Sequence, residues 1–212
     1  MRNALKLALL AAPGLLYGFF VRPQLLKWGT RLGESQRRLE GDDVVPAPNY
    51  QSTHAIDIGA PPEAVWPWLA QMGRDATGWY SIDMLTNRGV PSAAYIRPDL
   101  PPPEAGMMTD AGLGILVLRP PEALVFGGFD VPLAGFVRGD MSLAYRLERR
   151  GEGARLLMRT RLFAYGAVGP WFNVLVYEWL ECLDAVAQLR GIKRRAEATE
   201  RPIEIALSRD GR

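Results

Sequence analysis

Two aromatic-rich blocks, residues 60–73 and 78–83, constrain the fold of this chain more than any other feature. The first block follows residues 53–58, where polar and apolar residues alternate as they do in a strand. Pro61 and Pro62 suit the start of a helix, because their missing amide hydrogens would have no partner there. The predicted order is therefore a strand, a tight proline turn, a short tryptophan-bearing helix, a glycine break and a second short helix.

The pattern PPxxVWPWLxQMG followed by GWYSxD resembles the START-like, helix-grip superfamily, also called SRPBCC, and is most similar to bacterial members that carry both blocks. The superfamily includes polyketide cyclases, lipid-transfer domains and the major birch pollen allergen. The resemblance implies an α+β fold in which a curved antiparallel sheet of about six to seven strands wraps a long C-terminal helix. It also implies a cavity between sheet and helix that holds lipids, sterols, polyketides or other hydrophobic molecules.

The second half of the chain agrees with this architecture. Four further strands are predicted, at residues 113–118, 123–129, 141–149 and 155–163. Residues 170–193 form the last strong element, a long amphipathic helix with a wide apolar stripe. The residues assigned to this stripe are Trp171, Leu175, Trp179, Cys182, Val186 and Leu189. Four polar residues, Glu178, Glu181, Asp184 and Gln188, are placed elsewhere on the helical wheel.

We expect one folded domain with extensions at both ends, since the chain has 212 residues and no long flexible linker. Residues 1–21 are predicted to form an apolar N-terminal helix and residues 22–50 a polar arm, helical near its start. The START-like domain that the resemblance implies is expected to cover residues 51–197, and residues 198–212 are expected to form a C-terminal tail.

The apolar N-terminal segment is open to three interpretations. With Lys6 at its edge, the segment from residue 4 to residue 21 just reaches the length of a membrane-spanning helix. A secretory signal that is removed, or a helix that docks on the domain, would have a similar composition. Basic residues are more frequent after this segment than before it, so a spanning helix would leave the domain on the cytoplasmic side. We expect association with the membrane through residues 4–21, with a cytoplasmic protein as the alternative.

The composition argues against several functional classes. The net charge of +2 is too small for a nucleic-acid-binding surface. A single histidine cannot form a multi-histidine metal site, and a single cysteine cannot form an internal disulfide. No phosphate-binding glycine loop and no nucleophile elbow is present. We therefore expect neither a metal nor another cofactor.

Strand and helix periodicity provides candidates for the lining of the implied cavity. They are His54, Trp79, Tyr80, Met141, Tyr145, Met158, Thr160, Leu175 and Trp179. If the protein is an enzyme, the candidates for acid and base are Tyr80, Asp83 and His54. Each of these residues also has a structural interpretation, as a core residue or, for Asp83, as a residue that stabilises the start of a helix. Alternation on the last strand predicts that Arg159 and Arg161 face solvent.

The leading functional hypothesis is a binder or carrier of a hydrophobic small molecule, lipid-like or polyketide-like, without catalytic activity. One alternative is an enzyme of the polyketide cyclase or dehydratase type that needs no metal. A second alternative is a non-catalytic interaction module at the membrane.

Overall fold

The computed structural model describes residue 12 and residues 14–134 and 137–200. The five strands are β1 (Tyr50–Ile58), β2 (Gly114–Arg119), β3 (Ala123–Ala134), β4 (Val137–Arg150) and β5 (Gly153–Ala164). The α-helices are α1 (Arg22–Leu26), α2 (Pro62–Gln71), α3 (Asp83–Thr86), α4 (Gly169–Phe172) and α5 (Glu178–Glu200). Two π-helical stretches, Tyr17–Val21 and Asn173–Tyr177, lead directly into α1 and α5.

All five strands form one antiparallel sheet in the order β1-β5-β4-β3-β2. The predicted α+β class, the antiparallel sheet and the long C-terminal helix are confirmed. The predicted number of six to seven strands is wrong, since the described residues form five. Residues 89–112 add only one isolated bridge, between Met108 and Gly114, because their prolines lack the amide donors that a ladder needs.

The polar arm covers the outer face of the sheet. Arg155, Arg159 and Arg161 project from β5 toward this arm. Arg159 donates to the Asp42 carboxylate at 2.8 Å, and Arg155 donates to Glu34 at 2.6 Å. The prediction that Arg159 and Arg161 face solvent is therefore wrong, because the arm covers both side chains and supplies hydrogen-bond acceptors to both. Strand alternation correctly places these arginines on the face of the sheet opposite the core. It cannot show that another segment of the chain covers that face.

The arm contains less helix than its sequence predicts. Helix α1 ends at Leu26, and the following residues form turns in which Gly29 and Gly33 have positive φ. A Cβ atom at Gly29 would lie 2.1 Å from the carbonyl oxygen of Ala55, so this turn requires glycine. None of the described helices has the length and apolar character needed to cross a membrane. Most of the predicted segment at residues 1–21 lies outside the described residues.

The C-terminal helical region runs from Gly169 to Glu200 and crosses the inner face of the sheet. Its later part packs conventionally, with Ala185, Leu189, Ile192 and Ala196 buried in the main hydrophobic core. Trp68 and Leu69 of α2 belong to the same core, so the first aromatic block fixes this end of the helix against the sheet. The other end of the helix contains the candidate site.

Candidate functional site

A cavity of about 360 Å³ lies between the inner face of the sheet and the first part of the C-terminal helical region. Its walls are mainly apolar, and they include Trp79, Leu113, Val131, Met141, Leu143 and Met158. Four polar side chains, those of Thr86, Tyr177, Asp184 and Gln188, also line it. Known ligand sites have this size and this combination of an apolar wall with a few polar groups.

The helix presents opposite kinds of residue to the sheet along its length. We call residues 171–184 the first segment and residues 185–196 the second segment. In the first segment, Glu181 and Asp184 face the sheet and the cavity. Large apolar side chains of this segment lie on its exposed side: Trp171, Leu175, Val176, Trp179, Leu180 and Leu183. The usual amphipathic arrangement is therefore reversed in the first segment and normal in the second.

Glu181 is the centre of a buried hydrogen-bond network. Its carboxylate accepts hydrogen bonds from the hydroxyls of Tyr50 and Ser52 on β1, both at 2.7 Å, and from Thr160 on β5 at 2.8 Å. The Nε2 atom of His54 lies 3.1 Å from the same carboxylate, and donates if Glu181 is ionised. Tyr50, Ser52 and His54 alternate along β1 and so point to one face of the sheet.

The four donors around Glu181 stabilise its charged form. Burial would raise the pKa of Glu181, but the hydrogen bonds and the proximity of His54 lower the pKa below its usual value. The neighbouring Tyr50 has a raised pKa, because it is buried beside this carboxylate. A buried charge with this many donors is stable where it lies, and its removal would leave several polar groups unpaired.

Asp184, one turn further along the helix, is less well satisfied. Its Oδ1 atom is buried and has no hydrogen-bond partner among the described residues. Burial raises the pKa of Asp184 to about 6, an effect that the nearby Ser81 hydroxyl and Ile82 amide oppose and the charge of Glu181 increases. Asp184 is therefore the carboxyl group of the cavity that retains the capacity to accept a hydrogen bond.

The remaining polar groups of the cavity differ in their availability. Gln188 accepts a hydrogen bond from the Tyr145 hydroxyl at 2.6 Å and donates to the Trp79 carbonyl at 2.9 Å. Thr86 forms a 2.7 Å hydrogen bond with Ser81. Burial and the charges of Glu181 and Asp184 raise the pKa of Tyr177, so its hydroxyl stays protonated and can donate.

The structure distributes the predicted cavity residues over several environments. Trp79, Met141 and Met158 line the cavity. His54 and Thr160 contact Glu181 instead, and both are buried. The Nδ1 atom of His54 has no hydrogen-bond partner among the described residues. Tyr145 is also buried, and its hydroxyl is bound to Gln188.

The three candidates for acid and base do not meet in the cavity. Tyr80 packs with its ring against Trp68 and under the Arg195 guanidinium, and its hydroxyl accepts a 2.9 Å hydrogen bond from Gln71. Asp83 lies in the first turn of α3 and accepts a 3.0 Å hydrogen bond from the Ser92 amide. Neither residue is among those that line the cavity, and His54 belongs to the Glu181 network.

Leu175 and Trp179 lie on the outside of the helix rather than in the cavity. Leu175 is 68% exposed and Trp179 is 43% exposed. The predicted apolar stripe combined two different faces, the outer face of the first segment and the inner face of the second. Hydrophobic periodicity could not separate them, because each face on its own has helical spacing.

Sequence reasoning also missed the residues with the clearest chemistry. Glu181 and Asp184 were placed on the polar side of the wheel, where acids usually face water. One signal was present: β1 begins at Tyr50, so Tyr50, Ser52 and His54 supply an alternating row of donors. Such a row on a sheet's inner face requires acceptors opposite it. In the described part of the chain, no cluster of His, Cys, Asp and Glu side chains could hold a metal ion.

Several solved structures show limited similarity to this chain. Protein MLL2253 from Mesorhizobium loti has a TM-score of 0.45 and 13% identity, over 72% of this chain and 100% of that chain. Protein NE0264 from Nitrosomonas europaea has a TM-score of 0.47 and 12% identity, over 72% and 97%. BexL, a di-domain ARO/CYC of the BE-7585A biosynthetic pathway, has a TM-score of 0.45 and 17% identity, over 76% and 54%.

No protein-family model and no curated protein matches this chain. Each of the three TM-scores is below 0.5, so the fold assignment depends on the strand order and the C-terminal helix described above.

Proposed function

We propose that this protein binds a hydrophobic small molecule, lipid-like or polyketide-like, in the cavity between its sheet and its C-terminal helix. The observation that carries the proposal is the volume of about 360 Å³ together with the mainly apolar wall. Burial of an apolar ligand there would contribute about 25 cal/mol per Å² of surface removed from water. The cavity is thus suited to a compact apolar molecule.

Filling the cavity tests this function. Native mass spectrometry of the protein purified from an extract should show a bound molecule that Met158→Trp removes, because Met158 lines the cavity and is buried. Leu183→Trp adds the same bulk on the exposed side of the helix and should leave the bound molecule in place. Met141→Trp is a second filling variant for use if Met158→Trp does not fold. Wild-type protein that takes up no apolar molecule would contradict the proposal.

A second candidate is a metal-independent cyclase or dehydratase that acts on a polyketide-like substrate. It is favoured by the presence of Asp184 and Tyr177 in one cavity, because a carboxyl group with a pKa of about 6 can exchange protons near neutral pH. Turnover of a reactive poly-β-ketone by the wild type, and its loss in Asp184→Asn with binding retained, would support this candidate. Variants of His54, Tyr80 and Asp83, the acid and base candidates predicted from the sequence, would then be compared with Asp184→Asn for loss of turnover.

We also propose that the protein associates with a membrane surface, with the folded domain on the cytoplasmic side. The exposed apolar side chains of the first segment support this proposal, as do Leu15, Leu16, Phe19 and Phe20 of the N-terminal stretch. The two groups are close, since Tyr17 stacks on Trp179 at 5.8 Å and Arg22 binds Glu178 at 3.0 Å. Tryptophan and aliphatic side chains are those that enter the interface of a bilayer.

Flotation with vesicles tests the membrane proposal. The full chain should float with vesicles of phosphatidylcholine and phosphatidylglycerol, and the double variant Leu175→Ser and Trp179→Ser should bind at least about fivefold less. Leu32→Ser is the control, because Leu32 is fully exposed and belongs to the arm rather than to the first segment or the N-terminal stretch. A wild-type protein that stays at the bottom of the gradient would contradict the proposal.

A further inference from the structure

One carboxyl oxygen at the cavity, Oδ1 of Asp184, accepts no hydrogen bond from the described residues. The polar lining residues Gln188 and Thr86 use their hydrogen-bonding groups within the protein. The Asp184 side chain lines the cavity, and its Oδ1 atom, which is buried, has no hydrogen-bond partner among the described residues. A buried polar atom left unpaired costs about 1–3 kcal/mol, so such atoms usually have an explanation in function.

The chemistry of this atom restricts what could pair with it. A carboxylate oxygen accepts hydrogen bonds, so the partner must be a donor. The Ser81 hydroxyl, which also bonds to Thr86, and the Ile82 amide lie near this carboxyl, whereas Met141, Leu143 and Met158 in the cavity wall offer only apolar surface. A ligand that fits must therefore be apolar over most of its surface and carry its donor at one position.

We propose that Asp184 anchors the ligand of this cavity, and that the ligand is a largely apolar molecule with one hydroxyl or ammonium donor that binds the Asp184 carboxylate. This inference depends on the proposed cavity-binding function and specifies its ligand. The Tyr177 hydroxyl, which lines the same cavity, is placed to donate to an oxygen of such a ligand. At pH 8 the carboxyl group, whose pKa is about 6, is ionised and at its strongest as an acceptor.

Three matched probes test the proposal with the full chain at pH 8. They share a naphthalene ring and differ in one substituent: 1-naphthalenemethanol, 1-naphthalenemethylamine and 1-methylnaphthalene. Dissociation constants are measured by fluorescence for the wild type and for Asp184→Leu, Asp184→Asn and Glu197→Leu. Glu197 is an acid of the same helix that lies outside the cavity lining, and Glu197→Leu is the control.

The wild type should bind the alcohol or the amine at least about tenfold more tightly than 1-methylnaphthalene, as expected for a hydrogen bond to a charged group. Asp184→Leu should abolish that difference and bind 1-methylnaphthalene within about twofold of the wild type. Asp184→Asn should keep the preference for the alcohol, because its amide oxygen still accepts, and lose any preference for the amine. Glu197→Leu should behave as the wild type.

Two failures are distinguishable. If no probe binds the wild type, the proposed cavity-binding function is wrong. If all three probes bind equally and Asp184→Leu changes none of the constants, the cavity binds apolar molecules but Asp184 does not anchor them.

Discussion

The two segments of the C-terminal helix face the same sheet with opposite chemistry. The second segment buries aliphatic residues such as Leu189 and Ile192, and its contribution is that of an ordinary core. The first segment turns Glu181 and Asp184 inward and leaves Trp171 and Leu183 more than 60% exposed. The difference shows that one helix can hold the fold together at one end and border a mainly apolar cavity at the other.

The sheet explains why the reversal is stable. Opposite the first segment, β1 and β5 present Tyr50, Ser52, His54 and Thr160. Opposite the second segment, the same strands present Ile58, Ala154 and Leu156, which belong to the main core. The polarity of the helix therefore follows the polarity of the strands along their length.

Removing the central acid of the first segment should have the largest effect. Glu181→Ala leaves buried hydroxyls and His54 without their acceptor, so we expect it to lower the free energy of unfolding by about 3–5 kcal/mol. Glu197→Ala removes an acid just after the second segment that accepts one hydrogen bond, from the exposed Gly59 amide, so it should cost only about 1 kcal/mol. Urea denaturation followed by circular dichroism measures both. Equal small losses would show that the Glu181 network does not stabilise the fold.

Truncation of matched leucines compares the two segments directly. Leu189→Ala should destabilise the protein by about 2–5 kcal/mol, because this side chain is fully buried. Leu183→Ala should change the free energy of unfolding by less than about 0.5 kcal/mol, because its side chain is mostly exposed. Thermal and urea unfolding of both variants in detergent-free buffer provide the comparison. A large loss in Leu183→Ala would mean that the outer face packs against another part of the protein.

Asp184 should make stability depend on pH in a recognisable direction. Its pKa rises from 3.8 to about 6 on folding, so the folded state binds the proton more tightly than the unfolded state. The stabilisation from this proton is greatest below pH 3.8 and is lost as the pH rises through 6. Glu181 faces the same region, and Tyr145 and Tyr177 also sense the charge of Asp184, with both tyrosines neutral in this pH range.

Asp184→Asn removes this dependence. We expect the variant to gain at most about 3 kcal/mol over the wild type at pH 8, and the gain to shrink toward zero near pH 4. Unfolding curves measured at several pH values test this, with Glu152→Gln in the exposed β4–β5 turn as the control. A gain that stays constant with pH would show that folding does not raise the pKa of Asp184.

Polar substitution on the outer face should have the smallest effect on stability. Leu175→Ser should change the free energy of unfolding by less than about 0.5 kcal/mol, since its side chain is mostly in solvent. Although Leu175→Ser should hardly change the free energy of unfolding, it should clearly weaken the binding of the protein to vesicles. If Leu175→Ser destabilises the protein strongly in the absence of lipid, the outer face is part of the core.

The sequence predicted the fold better than the site, for a physical reason. The two aromatic blocks and the alternation of β4 and β5 depend on local patterns, so the sheet and both short helices were found close to their observed positions. The number of strands was overestimated because six to seven is the number that the superfamily resemblance implies, whereas the alternating patterns of this sequence predict five, at residues 53–58, 113–118, 123–129, 141–149 and 155–163. The site depends on which face of the helix meets the sheet, and that orientation is decided by contacts between residues far apart in sequence.

Particular residues show how far the site could be predicted from the sequence. Position and parity predict Trp79, Met141 and Met158 as cavity residues, and in the structure all three line the cavity, while their role in binding stays a prediction. Glu181 and Asp184 were overlooked because an acid on an amphipathic helix normally faces water. Their inward position becomes understandable only when Tyr50, Ser52 and Thr160 are seen opposite them.

The reversed orientation of the first segment is tested most directly by thiol labelling. The single native cysteine is replaced in Cys182→Ala, and L175C, L183C and Q188C are then made one at a time in that background. The structure predicts that a maleimide reacts with L175C and L183C in the folded protein at least about a hundredfold faster than with Q188C. The reverse order, with Q188C reactive and L175C protected, would contradict the account.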